Sequence, residues 1–250
     1  MTYPLLRITS ASLLAWAIST TPASALERTA AKYKFNLPPS ADLNYAINAR
    51  QGGLTINGEA VVQWNATREK YSIVAETRAM LVGKILDEKS EGSVDEYGLA
   101  PRQFTENRFR KEPTTASFKR PGKTISFSSS DKTYPIKGGE QDRTSAIWQL
   151  IAVARGAPPK FKPGSTWTFF VAGQHDAEPW TFKVIKQEKI RSPQGEVSAL
   201  HIVKMPPPDA KGQKVDIWLA PSLEWYPVKL RFTDADGEYI EQSLEKISKK

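Results

Sequence analysis

The sequence predicts a mainly β fold: a single curved antiparallel sheet, or incomplete β-barrel, of about ten to twelve strands around one buried apolar helix. Two observations carry this reading. Apolar and polar residues alternate with period two through most of the chain after Asp42, the pattern of strands with one dry and one wet side. Residues 142–155 alone break that period, with an apolar run closed by Gly156, Pro158 and Pro159.

In chain order, the first segment is a leader. Met1–Arg7 is a short head charged only at Arg7, Ile8–Ile18 is a largely apolar run, and Ala23-Ser24-Ala25 is a small-residue exit. That is the order of a cleavable secretory signal, with cleavage expected after Ala25 and a periplasmic or secreted location. The run is too short for a permanent span, which needs roughly 20 residues. No later stretch is apolar enough to span, so no integral membrane segment is expected after cleavage. Residues 26–250 are expected to form a single β-rich domain. The chain has no cysteine, so disulfides, thiol nucleophiles, thiolate zinc sites and a lipidated N-terminus are excluded, and burial must hold the fold.

Leu43, Tyr45, Ile47 and Ala49 share one parity of the first strand. After Gly52-Gly53, residues 54–67 carry Ala60, Val62, Trp64 and Ala66 on one face, with Asn57-Gly58 as a turn or bulge signal. Tyr71, Ile73, Ala75, Thr77, Ala79 and Leu81 form the third face. Residues 83–94 read as a charged strand, 97–101 as a turn and 104–111 as a strand. A hairpin follows over 115–120 and 123–129, across Pro121-Gly122, and then a loop through 131–141.

The helix is expected over Arg143–Arg155, with Asp142 or Thr144 accepting the free N–H groups of its first turn. Gln149 is its one polar residue in nine, so it must be buried on nearly every side. Strands return at 166–172, 179–190 and, after the turn Pro193-Gln194-Gly195, at 197–205. A loop over Pro206–Lys211 and strands at 215–219, 228–233 and 238–244 complete the sheet.

Chemistry is sparse. The two histidines are His175, in an expected turn, and His201, on the apolar parity of its strand. No G-x-S-x-G elbow or metal-ligand spacing accompanies them, so no catalytic residue, metal or cofactor is expected. The net charge is +8, and Arg102–Lys123 holds seven bases against Glu106 and Glu112. Such a face suits anionic lipid headgroups or acidic glycans; nucleic acid is not an expected partner of an exported domain. Six of the seven tryptophans follow the leader. Trp64, Trp148, Trp180 and Trp218, with His201, are candidates to line a hollow for an apolar guest, and Arg108, Arg110 and Lys119 to hold its anionic head.

Gly98-Leu99-Ala100-Pro101-Arg102-Gln103-Phe104, Asp142-Arg143-Thr144-Ser145 leading to Leu150, Ile217-Trp218-Leu219-Ala220-Pro221 and Pro227-Val228-Lys229 occur in that order. Together they resemble the exported bacterial family called domain of unknown function 3108, from about Tyr45 to Leu244. The family has no assigned reaction, so the resemblance implies no catalytic residues. More distantly, the segment around Trp218-Leu219 is similar to the lipoprotein carriers LolA and LolB, which wrap a curved sheet around helices and hold acyl chains. This chain departs from them in having one predicted helix rather than several.

Three functions follow as expectations. The first is a periplasmic protein that binds a lipid-like or other hydrophobic ligand in envelope maintenance. The second is a solid-cored structural protein that docks on other envelope proteins through edge strands or the 131–141 loop. The third, a hydrolase of envelope polymers, rests on compartment and carboxylates alone.

Overall fold

Fifteen strands form one continuous sheet in the computed structural model, which describes residues 30–80, 82–193, 195–206 and 213–250. The expected leader, Leu81, Gln194 and residues 207–212 of the expected loop lie outside the described residues. The strands are β1 (Ala41–Gln51), β2 (Leu54–Ala66), β3 (Lys70–Ala79), β4 (Gly83–Asp95), β5 (Gly98–Arg108), β6 (Thr114–Lys119), β7 (Thr124–Phe127), β8 (Thr133–Pro135) and β9 (Gln141–Asp142). Helix α1 (Arg143–Gly156) follows, then β10 (Thr166–Ala172), β11 (Ala177–Ser192), β12 (Gly195–Met205), β13 (Lys214–Leu219), β14 (Pro227–Thr233) and β15 (Tyr239–Lys249).

The first and last strands lie side by side in the middle of the sheet. From there β1 to β8 run outward one way and β15 to β9 the other. Every pairing is antiparallel except the short parallel one of β9 with β10. The strand count exceeds the expected ten to twelve partly because β8 and β9 have only three and two residues, too few to carry a pattern.

Period-two alternation does place the core. Ala41, Leu43, Tyr45, Ile47 and Ala49 are all buried, as are Trp64, Tyr71 and Ile73 across the ladders. Four expectations are corrected. Asn57-Gly58 is no turn but the interior of β2, because β3 passes so close that a Cβ at Gly58 would collide with the Arg78 carbonyl. Gly98–Pro101 likewise belong to β5, so the turn before it is only Glu96-Tyr97, and β5 stops at Arg108 rather than Lys111. The expected 131–141 loop also contains β8 and the start of β9.

The helix begins where its cap is complete. Asp142 Oδ1 accepts from the Thr144 and Ser145 N–H groups at 3.0 and 2.7 Å, and Ser145 Oγ accepts the Asp142 N–H at 2.9 Å. Ala146, Leu150, Ile151, Val153 and Ala154 are fully buried, so the helix is enclosed, as its composition requires. It packs against β4, β5, β9 and β10, lying across the gap between the two arms of the sheet. The arms do not close into a barrel. They meet through side chains: Tyr134 of β8 stands edge-on to Phe170 of β10 at 5.7 Å, and Ser129 Oγ donates to the Gln174 carbonyl at 2.7 Å.

Candidate functional site

The helix fills one end of the concave face, and the other end stays open. Trp148 stacks on Trp64 with ring centroids 4.4 Å apart and planes at 12°, and Tyr226 closes on it edge-on at 6.2 Å. Trp64 Nε1 donates to the Pro38 carbonyl at 3.1 Å, so even its polar edge is satisfied by protein. This end is packed solid. Two shallow surface depressions, of 460 and 210 Å³, lie elsewhere and neither is lined by Trp148.

Toward the β1–β2 turn the same inner face loses its cover. Ala49 pairs with Ile56 on one side and Ile240 on the other, and Ile240 in turn faces Phe232. Ala49 is buried, yet Phe232 and Ile240 are only partly covered and Ile56 is 37% exposed. Leu86, inward-facing on β4, is half-buried too. The result is an apolar strip at the open end of the sheet.

A polar cluster borders this strip. Glu88 of β4 and Glu106 of β5 are direct cross-strand partners, so their side chains share a face. Glu106 is buried, and its Oε1 accepts from Arg108 Nε and Gln174 Nε2. Its Oε2 is buried without a hydrogen-bond partner, with Arg143 Nη1 at 3.9 Å. Burial, reinforced by the Glu106 charge, pushes Glu88 up to about 7, against the pull of Arg143 and Arg108. Burial also pushes Asp142 up to about 6, although Ser145, Ser90 and Thr144 donate to it. Ser90 Oγ reaches Asp142 Oδ2 at 2.5 Å and sits 3.0 Å from the Tyr71 hydroxyl. Across the hollow, Lys204 is buried with its Nζ 4.2 Å over the Trp180 ring and 3.8 Å from Glu178, and burial lowers its pKa. Together these groups can hold a polar or charged head beside an apolar strip.

The residues singled out in the sequence are not brought to one place. Trp64 and Trp148 lie in the packed end, and Trp180 borders the polar cluster, donating to Glu178 at 3.0 Å. His201 and Trp218 are cross-strand partners on the opposite face from Ile202 and Ile217, with rings stacked 4.4 Å apart. The expected inward His201 is therefore corrected. Along β12 the buried side switches at Ala199-Leu200, just before the bulge in β11 between Val184 and Lys186, which pair with Ile202 and His201. There His201 Nε2 pairs with Asp216 Oδ1 at 2.7 Å, and Trp218 Nε1 donates to Glu188 Oε1 at 2.7 Å. Arg108 joins the polar cluster, while Arg110 sits in the β5–β6 turn over the Phe109 ring. Lys119 ends β6 at the far end of the sheet from both. No group of three or more histidine or carboxylate side chains able to hold a metal occurs among the described residues.

Glu88, Glu106, Arg143 and Lys204 were missed. The available signal was charge on a dry parity: Glu106 follows Phe104 by two, and Lys204 follows Leu200 and Ile202.

Residues 43–245 match the model of a protein family of unknown function, DUF3108. No curated protein matches the chain. Among solved structures, the β-barrel-like DUF1849 protein of Brucella abortus superposes with a TM-score of 0.57 at 14% identity, over 86% of this chain and 99% of that one. That likeness is one of fold. A LolA superfamily protein of Nitrosomonas europaea aligns at 11% identity and TM-score 0.20, over 87% of this chain and 89% of its own. A domain described as outer membrane lipoprotein-sorting, from Vibrio parahaemolyticus, aligns at 9% identity and TM-score 0.31, over 85% of this chain and 86% of its own.

Proposed function

The chain belongs to the DUF3108 family of proteins of unknown function, and from that premise we propose that it is an exported, non-enzymatic binding protein of the bacterial envelope. Its ligand is lipid-like: an apolar chain lies along Ile56, Phe232 and Ile240, and a polar head meets Arg108, Arg143 and the Glu88–Glu106 pair. One observation carries this reading. The inner face stays apolar past the helix, yet its side chains there remain partly exposed, in a sheet that does not close. Each Å² of apolar surface removed from water would contribute roughly 25 cal/mol, so even a short acyl chain gains several kcal/mol. Export rests on the leader-like order of Met1–Ala25.

Uptake of a fluorescent fatty acid, with native mass spectrometry of protein purified from its own envelope, tests the proposal. Ile240→Asp and Phe232→Asp should abolish uptake while the cooperative unfolding transition persists. Wild-type protein that retains no ligand and takes up no fatty acid would remove the proposal. The second reading, a solid-cored interaction protein, draws on the Trp64–Trp148 stack and the complete burial around it. In that case β8, the short edge strand Thr133–Pro135, is the natural docking edge.

A further inference from the structure

Exposed large apolar residues cluster at one end of this molecule. The described residues include seven such side chains, and five of them lie on or beside three adjacent hairpin turns. Leu54, 68% exposed, follows the β1–β2 turn; Met80 and Val82, 78% and 52% exposed, lie in the β3–β4 turn; and Phe109, 46% exposed, follows β5. The fifth is Ile56, already part of the inner strip. Backbone bonds hold these tips together: the Met80 N–H donates to the Asn57 carbonyl at 3.1 Å, and the Phe109 N–H to the Ile85 carbonyl at 2.9 Å. Single exposed apolar residues are ordinary, but a group gathered on neighbouring tips marks an interaction surface.

The charges around these tips say what the surface meets. Arg78, Lys84, Arg110 and Lys111 are exposed on and behind the β3–β4 and β5–β6 tips, where Glu112 is the one acid on the turns themselves. Arg50 is exposed beside the β1–β2 tip, next to the β14–β15 turn with its Asp234, Asp236 and Glu238, the last of which accepts the Gly52 N–H. Glu76, which bridges Arg78 and Lys84 at 2.6 and 2.5 Å, sits behind the tips on β3. The Arg110 guanidinium lies 4.9 Å over the Phe109 ring, so apolar and basic groups share one tip. Apolar points with bases beside them, as on the β3–β4 and β5–β6 tips, complement an anionic interface, where side chains enter the acyl boundary and cations meet the headgroups. A second copy of this chain would bring the same bases face to face and be repelled.

We propose that the hairpin tips bearing Leu54, Met80, Val82 and Phe109 dock this protein on the surface of an anionic phospholipid bilayer. The docking needs no ligand in the concave face, so it stands or falls separately from the proposed binding function.

Flotation of the purified protein with phosphatidylcholine vesicles, with and without phosphatidylglycerol, tests it. Co-flotation should require phosphatidylglycerol and fall steeply with added salt. Met80→Asp and Leu54→Asp should each weaken the vesicle-bound fraction by about tenfold or more, because a charge replaces an apolar anchor. Lys111→Glu should cost over tenfold, since each basic charge near an anionic surface contributes about fivefold. Lys119→Glu, at the other end of the sheet, should leave binding unchanged, and circular dichroism should report the same fold in all four variants. The proposal is overturned by absence of flotation with phosphatidylglycerol. It is equally overturned by flotation that Met80→Asp and Leu54→Asp leave intact, or by a dimer in sedimentation that these variants abolish without any vesicle binding.

Discussion

Gln149 Oε1 accepts the Leu99 N–H at 2.8 Å, and the same side chain donates to the Tyr97 carbonyl at 2.8 Å. A helix side chain thus takes the part of a neighbouring strand. β6 pairs with β5 only over Gln103–Glu106, so the start of β5 has no partner on that side. Gln141 completes the arrangement, its Nε2 donating to the Leu99 carbonyl at 2.7 Å. The sheet can therefore stay open without leaving a buried edge unsatisfied. Gly98 takes a φ of 108° at this point, and any side chain there would run into the Gln149 amide.

Gln149→Leu should cost about 1–3 kcal/mol, because it strands the buried Leu99 N–H while keeping most of the side-chain volume. Hydrogen exchange provides the local readout: the Leu99 amide should lose protection selectively. A variant as stable as wild type, with Leu99 still protected, would mean that the seam is held by packing alone.

The two tryptophan environments separate in the same way. Trp148→Ala removes a 4% exposed ring stacked on Trp64 and should destabilise by about 3–5 kcal/mol in urea unfolding. Trp218→Ala, on the other face beside His201 and under the Lys229 ammonium at 5.3 Å, should cost less than Trp148→Ala. Equal losses would contradict the assignment of Trp148 to the packed end.

Much of the fold could be read because its signals are local. Alternation fixed the dry faces of β1 and β3, and the apolar run between Asp142 and Gly156 located the helix to within a residue. The functional face was harder to read, because it depends on register between distant strands. Nothing local distinguishes Trp64, sealed by Trp148, from Ile56 eight residues earlier on the same face and open to solvent. His201 misled for a similar reason. It shares a face with Val197 and Ala199, but from Leu200 onward the other side of β12 is the more deeply covered one.

Gly58 offers a test of that register. Substitution by Val fits the strand propensity of its neighbours but drives a Cβ into the Arg78 carbonyl of β3. An overpacked, strained contact of this kind costs about 1–3 kcal/mol. The urea midpoint of Gly58→Val should fall accordingly. A stabilised variant would show that β3 lies further from β2 than the ladder between Gly58 and Ala79 requires.

The Glu88–Glu106 pair makes stability depend on pH in a direction that can be derived. Glu88 is held at about 7 in the folded protein, above its ordinary value of 4.5, and Asp142 at about 6, above 3.8. Between those limits the folded state binds protons that the unfolded chain has released. The stabilisation is complete below the ordinary carboxylate range and is lost as pH rises toward about 7. The groups that Glu88 faces are Glu106, Arg143, Asp142 and Arg108, drawn from β5, the helix and its cap. The unfolding free energy from urea titrations should therefore decrease from about pH 5 to about pH 7.5, by an amount on the order of 1–3 kcal/mol. Glu88→Gln keeps the shape, removes the proton that titrates and should flatten most of that slope while raising stability at the higher pH. An unchanged slope in Glu88→Gln would assign the effect to other carboxylates and leave the Glu88–Glu106 pair without a role in it.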